Sequence, residues 1–382
     1  MDLPLSDPDL VGLGRRRHPP HLDQVLHRRR PQAVPNRRVV EGSGRFAAKI
    51  AGTYPLAETY HRDALLADME RYTVEASAVV PEATGLNLPG SPTTLVIDRP
   101  EWIQRNLATF AHLTEPARRQ LEQRMAEAGP AGQRAAALAG RLVEAETTAV
   151  LSLLSRRVLG QYELVLPTGD EGDTVSYVAP NILQLERVHQ FRPSEFRYWV
   201  ALHELTHRAQ FQGVPWLRAY FLSLVEELVE QSKPEPGRLS RVIGELGRRR
   251  LAGEPLIDER GLFGLFASPE QSAVMDRVQA LMALLEGHGH VVMDRVGEKR
   301  LRSQDRMSRV LKARRQDKRA AAFLRLTGLE MKMRQYELGE RFVLVVEREA
   351  GWEKLHRAFE AEEYLPTLEE IEDPPRWLER VA

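Results

Sequence analysis

A chain of 382 residues, of which 42% are hydrophobic and 28% charged, is long enough for one large or two ordinary domains and has the composition of a soluble globular protein. Its formal net charge of zero argues against a general nucleic-acid or membrane-surface role, and the absence of cysteine excludes disulfides and thiolate zinc ligands. No apolar run reaches the roughly 18 residues of a membrane-spanning helix, so we expect no membrane partner and a cytoplasmic location.

The first 41 residues differ from the rest in composition. Arginine triplets at 15–17 and 28–30 stand among prolines, and no apolar run follows either triplet, so an export signal is not indicated. We expect residues 1–41 to be a disordered basic tail or an over-long start. Residues 42–382 then form one domain, with a helical lobe over 42–160 and a catalytic lobe over 161–382.

Helical periodicity dominates the first half of the folded part. It predicts helical structure over 45–78 with a break at Pro55, a loop over 79–92, and a short strand over 94–100 that leads into a helix near Trp102. Residues 115–155 are rich in alanine, leucine, arginine and glutamate, and they predict two helices with a break at Gly129-Pro130.

A small β element is predicted in the middle of the chain. Segments 161–167 and 175–185 have the pattern of strands, and a helix opened by Pro193 and closed by Gly213 follows them. A further helix is predicted over 269–296. The expected fold class is therefore mainly α with a small β element.

The helix after the strands carries the sequence HELTH. His203 and His207 lie four residues apart, so both imidazoles are on one face of a helix and can bind one ion. Glu204 projects about 100° away and can reach a water on that ion. Two histidines that hold a zinc ion and a glutamate that takes a proton from its water are the parts of a hydrolytic zinc site.

A motif this short also arises by chance, and the alternative is a hydrogen-bonded pair of core histidines. Here the motif is framed by apolar residues, among them Val200, Leu202 and Leu205, which predict a buried helix. Two histidines and a glutamate buried without partners would cost several kcal/mol. A bound metal removes that cost, so the sequence favours zinc.

The third ligand must be sought elsewhere in the chain. The metzincin pattern fails, because Gln210 and Gly213 stand where that class has glycine and histidine. Three glutamates at 226, 227 and 230 lie at the spacing of the thermolysin class, but they fall on the polar side of an apolar helix, so solvent exposure explains them better.

The segment LMALLEGHGHVVMD, at 281–294, is the stronger candidate. Gly287 and Gly289 each cost about 1 kcal/mol in a helix interior, which indicates close approach of another backbone, and the HELTH helix is the expected neighbour. We predict Glu286 as the third ligand.

The polar residues beside Glu286 have predicted supporting roles. Asp294 is expected to orient a ligating imidazole from behind, and His288 or His290 to polarise a substrate carbonyl or stabilise an oxyanion. The alternative is an ordinary packing helix whose histidines are hydrogen-bonded.

Three segments together resemble a known family. WVALHELTHRAQF, EGHGHVVMD and TGLEMKMRQYELGERF are similar to a bacterial zincin-like metallopeptidase family of unknown substrate, whose members are described as hydrolases or associated with biosynthesis of a deazaflavin coenzyme. The resemblance covers roughly 45–382. It implies a mostly helical zincin with zinc bound by His203, His207 and a later glutamate, here Glu286, and with Glu204 as general base. Arg208 departs from the general zincin pattern.

The resulting hypothesis is a zinc metallohydrolase that acts on a peptide or amide. Zincins pair the substrate backbone with an edge strand, and 175–183 is the expected strand here, with Tyr177 and Asn181 as substrate-binding residues. The alternative is a scaffold or regulatory protein of coenzyme biosynthesis stapled by zinc, for which His290 is a possible fourth ligand. Nucleic-acid binding through the basic stretch 295–325 ranks last, because aromatic residues are almost absent there.

Overall fold

The computed structural model describes residues 51–127, 129–165, 171–231, 248, 268–315 and 330–382. All of these residues lie in one compact unit. The predicted tail over 1–41 and the start of the segment TGLEMKMRQYELGERF lie outside the described residues, as do the side chains of 331–336.

The described part of the chain consists mainly of helices around a three-stranded sheet. The strands are β1 (Thr93–Ile97), β2 (Gly160–Val165) and β3 (Glu171–Val178). The long helices are α1 (Tyr60–Thr84), α2 (Arg99–Glu127), α3 (Gly129–Leu154), α4 (Ala179–His189), α5 (Pro193–Gly213), α6 (Leu217–Gln231), α7 (Pro269–Arg300), α8 (Gln304–Arg315) and α9 (Glu330–Ala350). Short helices follow: α10 (Trp352–Leu355), α11 (Arg357–Glu360), α12 (Leu368–Glu372) and α13 (Pro374–Arg380), with 3₁₀ turns at Pro55–Glu58 and Glu362–Tyr364. This is the predicted fold class.

The sheet has the order β1–β3–β2, with β1 parallel and β2 antiparallel to β3. The prediction of an edge strand over 175–183 is wrong, because β3 is the central strand and is paired on both sides. It is also too long, because helix α4 begins at Ala179. Pro180 lies in the first turn of α4, where its missing N–H costs no hydrogen bond.

Helix α1 extends into the first part of the predicted loop over 79–92. It contains Pro81 and ends at Thr84, and Gly85 follows with a φ of 73° in the left-handed region that glycine favours. The predicted loop therefore begins six residues too early. Burial of Val80 and Thr84 in the core outweighs the helix-breaking tendency of the proline. The break between α2 and α3 occurs at the predicted Gly129.

The HELTH helix, α5, is largely buried. It begins at the predicted Pro193 and packs against α1, α7 and β2. Helix α7 packs in turn along α9. Helices α5 and α7 are thus in contact, as a shared metal site requires. Among the described residues, no helix is both long and apolar enough to cross a bilayer.

Candidate metal centre

Three side chains from two helices converge on one point. The Nε2 atoms of His203 and His207 lie 3.2 Å apart. Oε2 of Glu286 lies 3.7 Å from Nε2 of His203 and 3.6 Å from Nε2 of His207. Helix α5 supplies both imidazoles one turn apart, and α7 supplies the carboxylate. The structure thus brings together the three predicted ligands.

The spacing of these three atoms fits a zinc ion. At zinc–ligand distances of about 2.0–2.2 Å, two ligand atoms of a tetrahedral ion lie about 3.3–3.6 Å apart. The three observed separations fall close to this range without any rearrangement of the backbone. Two neutral imidazoles and one carboxylate are also a donor set that zinc prefers, and it leaves a fourth position open. The residues therefore fit the predicted metal.

Two glycines shape helix α7 around the site. A β-carbon on Gly289 would lie 3.6 Å from Cε1 of His207 and 3.8 Å from Nδ1 of His203, so this glycine faces the HELTH imidazoles. Gly287 instead meets α9, where a β-carbon would lie 2.1 Å from the carbonyl carbon of Gly339. The predicted close backbone approach is present at Gly287, but the neighbouring helix is α9 and not the HELTH helix.

Gln210 holds His207 from behind, a role that the sequence motif does not indicate. Its Oε1 lies 2.9 Å from Nδ1 of His207, and its Nε2 donates to the carbonyl of Leu285 at 2.9 Å. A proton on Nδ1 of His207 leaves Nε2 as the lone-pair donor for a metal. The spacing of three residues between His207 and Gln210 places both on one helical face, and it was the available signal.

His288 lies behind Gln210 and away from the ligand atoms. Its Nδ1 is 3.0 Å from Nε2 of Gln210, and its ring stacks on Trp352 with Phe359 at its edge. Burial lowers the pKa of His288 to about 3, so the ring is neutral. The predicted contact of His288 with a substrate carbonyl does not fit a side chain that is 0% exposed and enclosed by aromatic rings.

His290 and Asp294 face another part of the molecule. Nε2 of His290 lies 3.8 Å from Oε2 of Glu340 on α9, and Oδ1 of Asp294 accepts a hydrogen bond from Gln304 at 2.7 Å. His290 is buried in this cluster, so the predicted oxyanion role and the alternative as fourth zinc ligand are not supported. The predicted orienting role of Asp294 is taken by Gln210.

Glu204 lies beside the ligands, at the edge of β2. The backbone N–H of Tyr162 donates to its carboxylate, and a β-carbon on Gly160 would lie 2.7 Å from its Cγ. Burial raises the pKa of Glu204 to about 7, and the charge of nearby Glu286 adds to this effect. A carboxylate of this basicity can take a proton from water near neutral pH.

The pKa of His207 reflects the negative charges of the nearby carboxylates. Burial alone lowers its pKa, but the hydrogen bond and charge of Glu286, together with the charge of Glu204, raise it to about 9. The carboxylates therefore favour a positive charge at the point where the three ligand atoms meet. A divalent cation satisfies this preference, and its binding displaces the proton.

Tyr177 and Asn181 belong to the interior. The hydroxyl of Tyr177 lies 2.9 Å from that of Thr73, and burial raises the pKa of Tyr177 far above its ordinary value. Asn181 accepts from Nε of Arg99 at 2.8 Å and donates to the carbonyls of Ser155 and Val158. Because both side chains are buried and hydrogen-bonded in the core, their predicted role in substrate binding is not supported.

Arg208, the departure from the general zincin pattern, points away from the metal ligands. Its guanidinium donates to both carboxylate oxygens of Asp173, at 2.6 and 2.8 Å, and to the carbonyl of Pro89. The side chain is 0% exposed. Arg208 thus ties α5 to β3 and to the loop before β1, and it does not line the site.

The chain is similar to a known protein family and to a solved structure. The family model described as "Zincin-like metallopeptidase" matches residues 41–378. A crystal structure from Chloroflexus aurantiacus, named as that of "a putative hydrolase with a novel fold", superposes with a TM-score of 0.65 at 28% sequence identity. The match covers 89% of this chain and 97% of that chain. Among curated protein sequences, none matches the chain.

Proposed function

The chain belongs to the zincin-like metallopeptidase family, and from this premise we propose that it is a zinc-dependent hydrolase of peptide or amide bonds. The observation that carries the proposal is the meeting of three ligand atoms, 3.2–3.7 Å apart, beside a buried carboxylate. His203, His207 and Glu286 would hold the metal. The open fourth position distinguishes a catalytic zinc from a structural one.

Glu204 supplies the acid–base chemistry of the proposal. A zinc ion, when bound, polarises a carbonyl oxygen and lowers the pKa of water. One carboxylate oxygen of Glu204 takes the proton of the attacking water and passes it to the leaving nitrogen. The hydrogen bond from the backbone N–H of Tyr162 fixes the carboxylate in place for both transfers.

Strand β2 replaces 175–183 as the candidate for binding the substrate backbone. Among the described residues it is an edge strand, and it borders Glu204. The carbonyl of Leu159 accepts from Val178 on β3, whereas the N–H of Tyr162 points to Glu204. The N–H and C=O groups of successive residues point alternately to the two sides of a strand. Those of Gly160 therefore face the open edge, as the N–H of Tyr162 does. An extended peptide can pair there, next to the general base.

The test is the Glu204→Gln variant, compared with the wild type for zinc content and for cleavage of a mixture of fluorescence-quenched peptides. We expect bound zinc to be retained and cleavage to fall by at least about 100-fold, because the general base is lost while the ligands remain. Glu195→Gln is the matched control, since Glu195 lies on the same helix and binds Ser303 at its far end.

Two outcomes would contradict the proposal. Loss of zinc in Glu204→Gln, with the control still loaded, makes Glu204 a ligand and removes the base from the mechanism. A zinc-loaded wild type that cleaves neither the peptides nor simple amide substrates favours the scaffold or regulatory alternative.

A further inference from the structure

The geometry points to a second divalent-cation site, formed by His290, Asp294 and Glu340. One ligand atom from each of the three residues lies within 4.8 Å of the others, and Nε2 of His290 is 3.8 Å from Oε2 of Glu340. One imidazole and two carboxylates suit a transition-metal dication such as Zn²⁺ better than Ca²⁺ or Mg²⁺, which prefer oxygen ligands alone. This site goes beyond the hydrolytic centre proposed above.

Helix packing brings the three ligands together. His290 and Asp294 are four residues apart on α7 and share a face. Glu340 follows Gly339, whose absent side chain lets α9 approach α7 closely, since a β-carbon on Gly339 would lie 1.8 Å from the carbonyl oxygen of Ala283. The crossing that positions Glu286 thus also places Glu340 opposite His290.

One oxygen of each carboxylate accepts a hydrogen bond from a neighbouring polar side chain. Nε2 of Gln304 donates to Oδ1 of Asp294 at 2.7 Å, and Nζ of Lys312 donates to Oε1 of Glu340 at 2.7 Å. The other oxygen of Glu340, Oε2, is the one that faces His290. Metal-binding carboxylates are commonly oriented in this way by hydrogen bonds from outside the coordination sphere.

The charges of the cluster favour a further cation. Two carboxylates and the Lys312 ammonium leave one net negative charge, and an imidazole in its neutral form adds none. The neighbouring protein groups therefore leave part of the negative charge uncompensated, and a bound dication would compensate it.

The second site is separate from the HELTH centre. Glu286 faces His203 and His207 on α5, whereas His290 faces Glu340 on α9. A cation at His290 therefore has a structural role, in which it ties α7 to α9 and so fixes the helix that carries Glu286.

The experiment uses the full chain, stripped with a chelator, reloaded with Zn²⁺ and freed of unbound metal, with bound zinc measured by mass spectrometry. We expect two ions per wild-type chain and one ion in each of Glu286→Gln, Glu340→Gln and Asp294→Asn. Glu347→Gln should retain both, and it is the matched control because Glu347 joins α9 to Arg295 on α7 without belonging to the cluster. Reloading Glu286→Gln with Co²⁺ should give a visible absorption that Glu286→Gln/Glu340→Gln lacks.

The outcomes separate this site from the hydrolytic one. Suppose that the wild type binds one ion, which Glu286→Gln loses and Glu340→Gln keeps. This result overturns the second site and leaves the first intact. If the wild type instead binds one ion, which Glu340→Gln loses and Glu286→Gln keeps, the second site is supported and the first is refuted. Circular dichroism of each variant excludes unfolding as the cause of a lost ion, and Asp294→Asn provides an independent reading where Glu340→Gln does not fold.

Discussion

Gly287 on α7 and Gly339 on α9 are in direct contact, so that a β-carbon on Gly287 would lie 2.1 Å from the carbonyl carbon of Gly339. The obstacle is backbone, which cannot rotate aside as a side chain can. The same crossing sets the position of Glu286, one residue before Gly287. The spacing of α7 and α9 is therefore part of what builds the metal centre.

Gly287→Ala should destabilise the protein strongly. The added methyl group forces the two helices apart, and overpacking of this kind costs about 1–3 kcal/mol or more, which exceeds the gain of about 1 kcal/mol in helix propensity. Urea unfolding monitored by circular dichroism measures the change in free energy of unfolding. Zinc affinity should fall as well, because Glu286 moves with the helix.

Gly289→Ala provides the matched comparison on the same helix. Its methyl group would meet the HELTH imidazoles at 3.6–3.9 Å, which is ordinary van der Waals contact. We expect its free energy of unfolding to stay within about 1 kcal/mol of the wild type, with helix propensity acting in its favour. Equal destabilisation of both variants would show that the helix crossing is not what distinguishes the two glycines.

Gln210→Leu should weaken zinc binding without removing a ligand. The substitution takes away the acceptor for Nδ1 of His207, and loss of such an orienting partner lowers metal affinity by about 10- to 100-fold. Competition with a chromophoric chelator measures the zinc dissociation constant. Gln212→Leu is the control two residues later, since Gln212 binds the hydroxyl of Tyr162 and not a ligand. An unchanged constant in Gln210→Leu would show that the tautomer of His207 is set by other groups.

The three residues that converge, His203, His207 and Glu286, could be proposed as ligands from the sequence because their signals are local. The pair His203 and His207 lies on one turn of a helix, and Glu286 interrupts an apolar helical face. A buried charge on such a face is costly unless it is paired or bound to a metal. Because the chain has no cysteine, only His, Asp and Glu were candidate metal ligands. Local spacing and the cost of burial were thus sufficient.

The roles of the neighbouring residues depend on tertiary contacts that spacing does not reveal. His288 and His290 are two residues apart, so they point to different sides of α7, and the packing of α9 and α10 decides what each side meets. The helix that meets Gly287 could not be chosen from the glycine alone. Strand order was also inaccessible, because the pattern of β3 is the same in a central and an edge strand, and only its pairing with both neighbours excludes substrate there.

Tyr177→Phe should affect stability and leave substrate binding unchanged. The variant removes one member of the buried hydroxyl pair with Thr73 and should lower the free energy of unfolding by about 1–2 kcal/mol. Its KM for a quenched peptide should equal that of the wild type, since the side chain is 0% exposed. If KM rose several-fold while the free energy of unfolding stayed unchanged, the result would support substrate binding by Tyr177.

Gly160→Ala should lower catalysis and spare the metal. A β-carbon at Gly160 would lie 2.7–2.9 Å from the Cγ, Cδ and Oε1 atoms of Glu204, so the carboxylate that we propose as the general base has to move. Displacement of a catalytic group by about 1 Å can cost on the order of 100-fold in rate. Zinc content and affinity should stay at wild-type values, because the three atoms nearest to the new methyl group all belong to Glu204 and not to a ligand. The readouts are kcat for a quenched peptide and the zinc dissociation constant.

Gly140→Ala is the control for this variant, because a β-carbon at Gly140 meets no atom within 4 Å. It should retain wild-type kcat and gain slightly in stability from its position in helix α3. If Gly160→Ala also retained full kcat, the carboxylate of Glu204 would not need its present position beside β2. The proposed pairing of substrate with this strand, next to the base, would then lose its support.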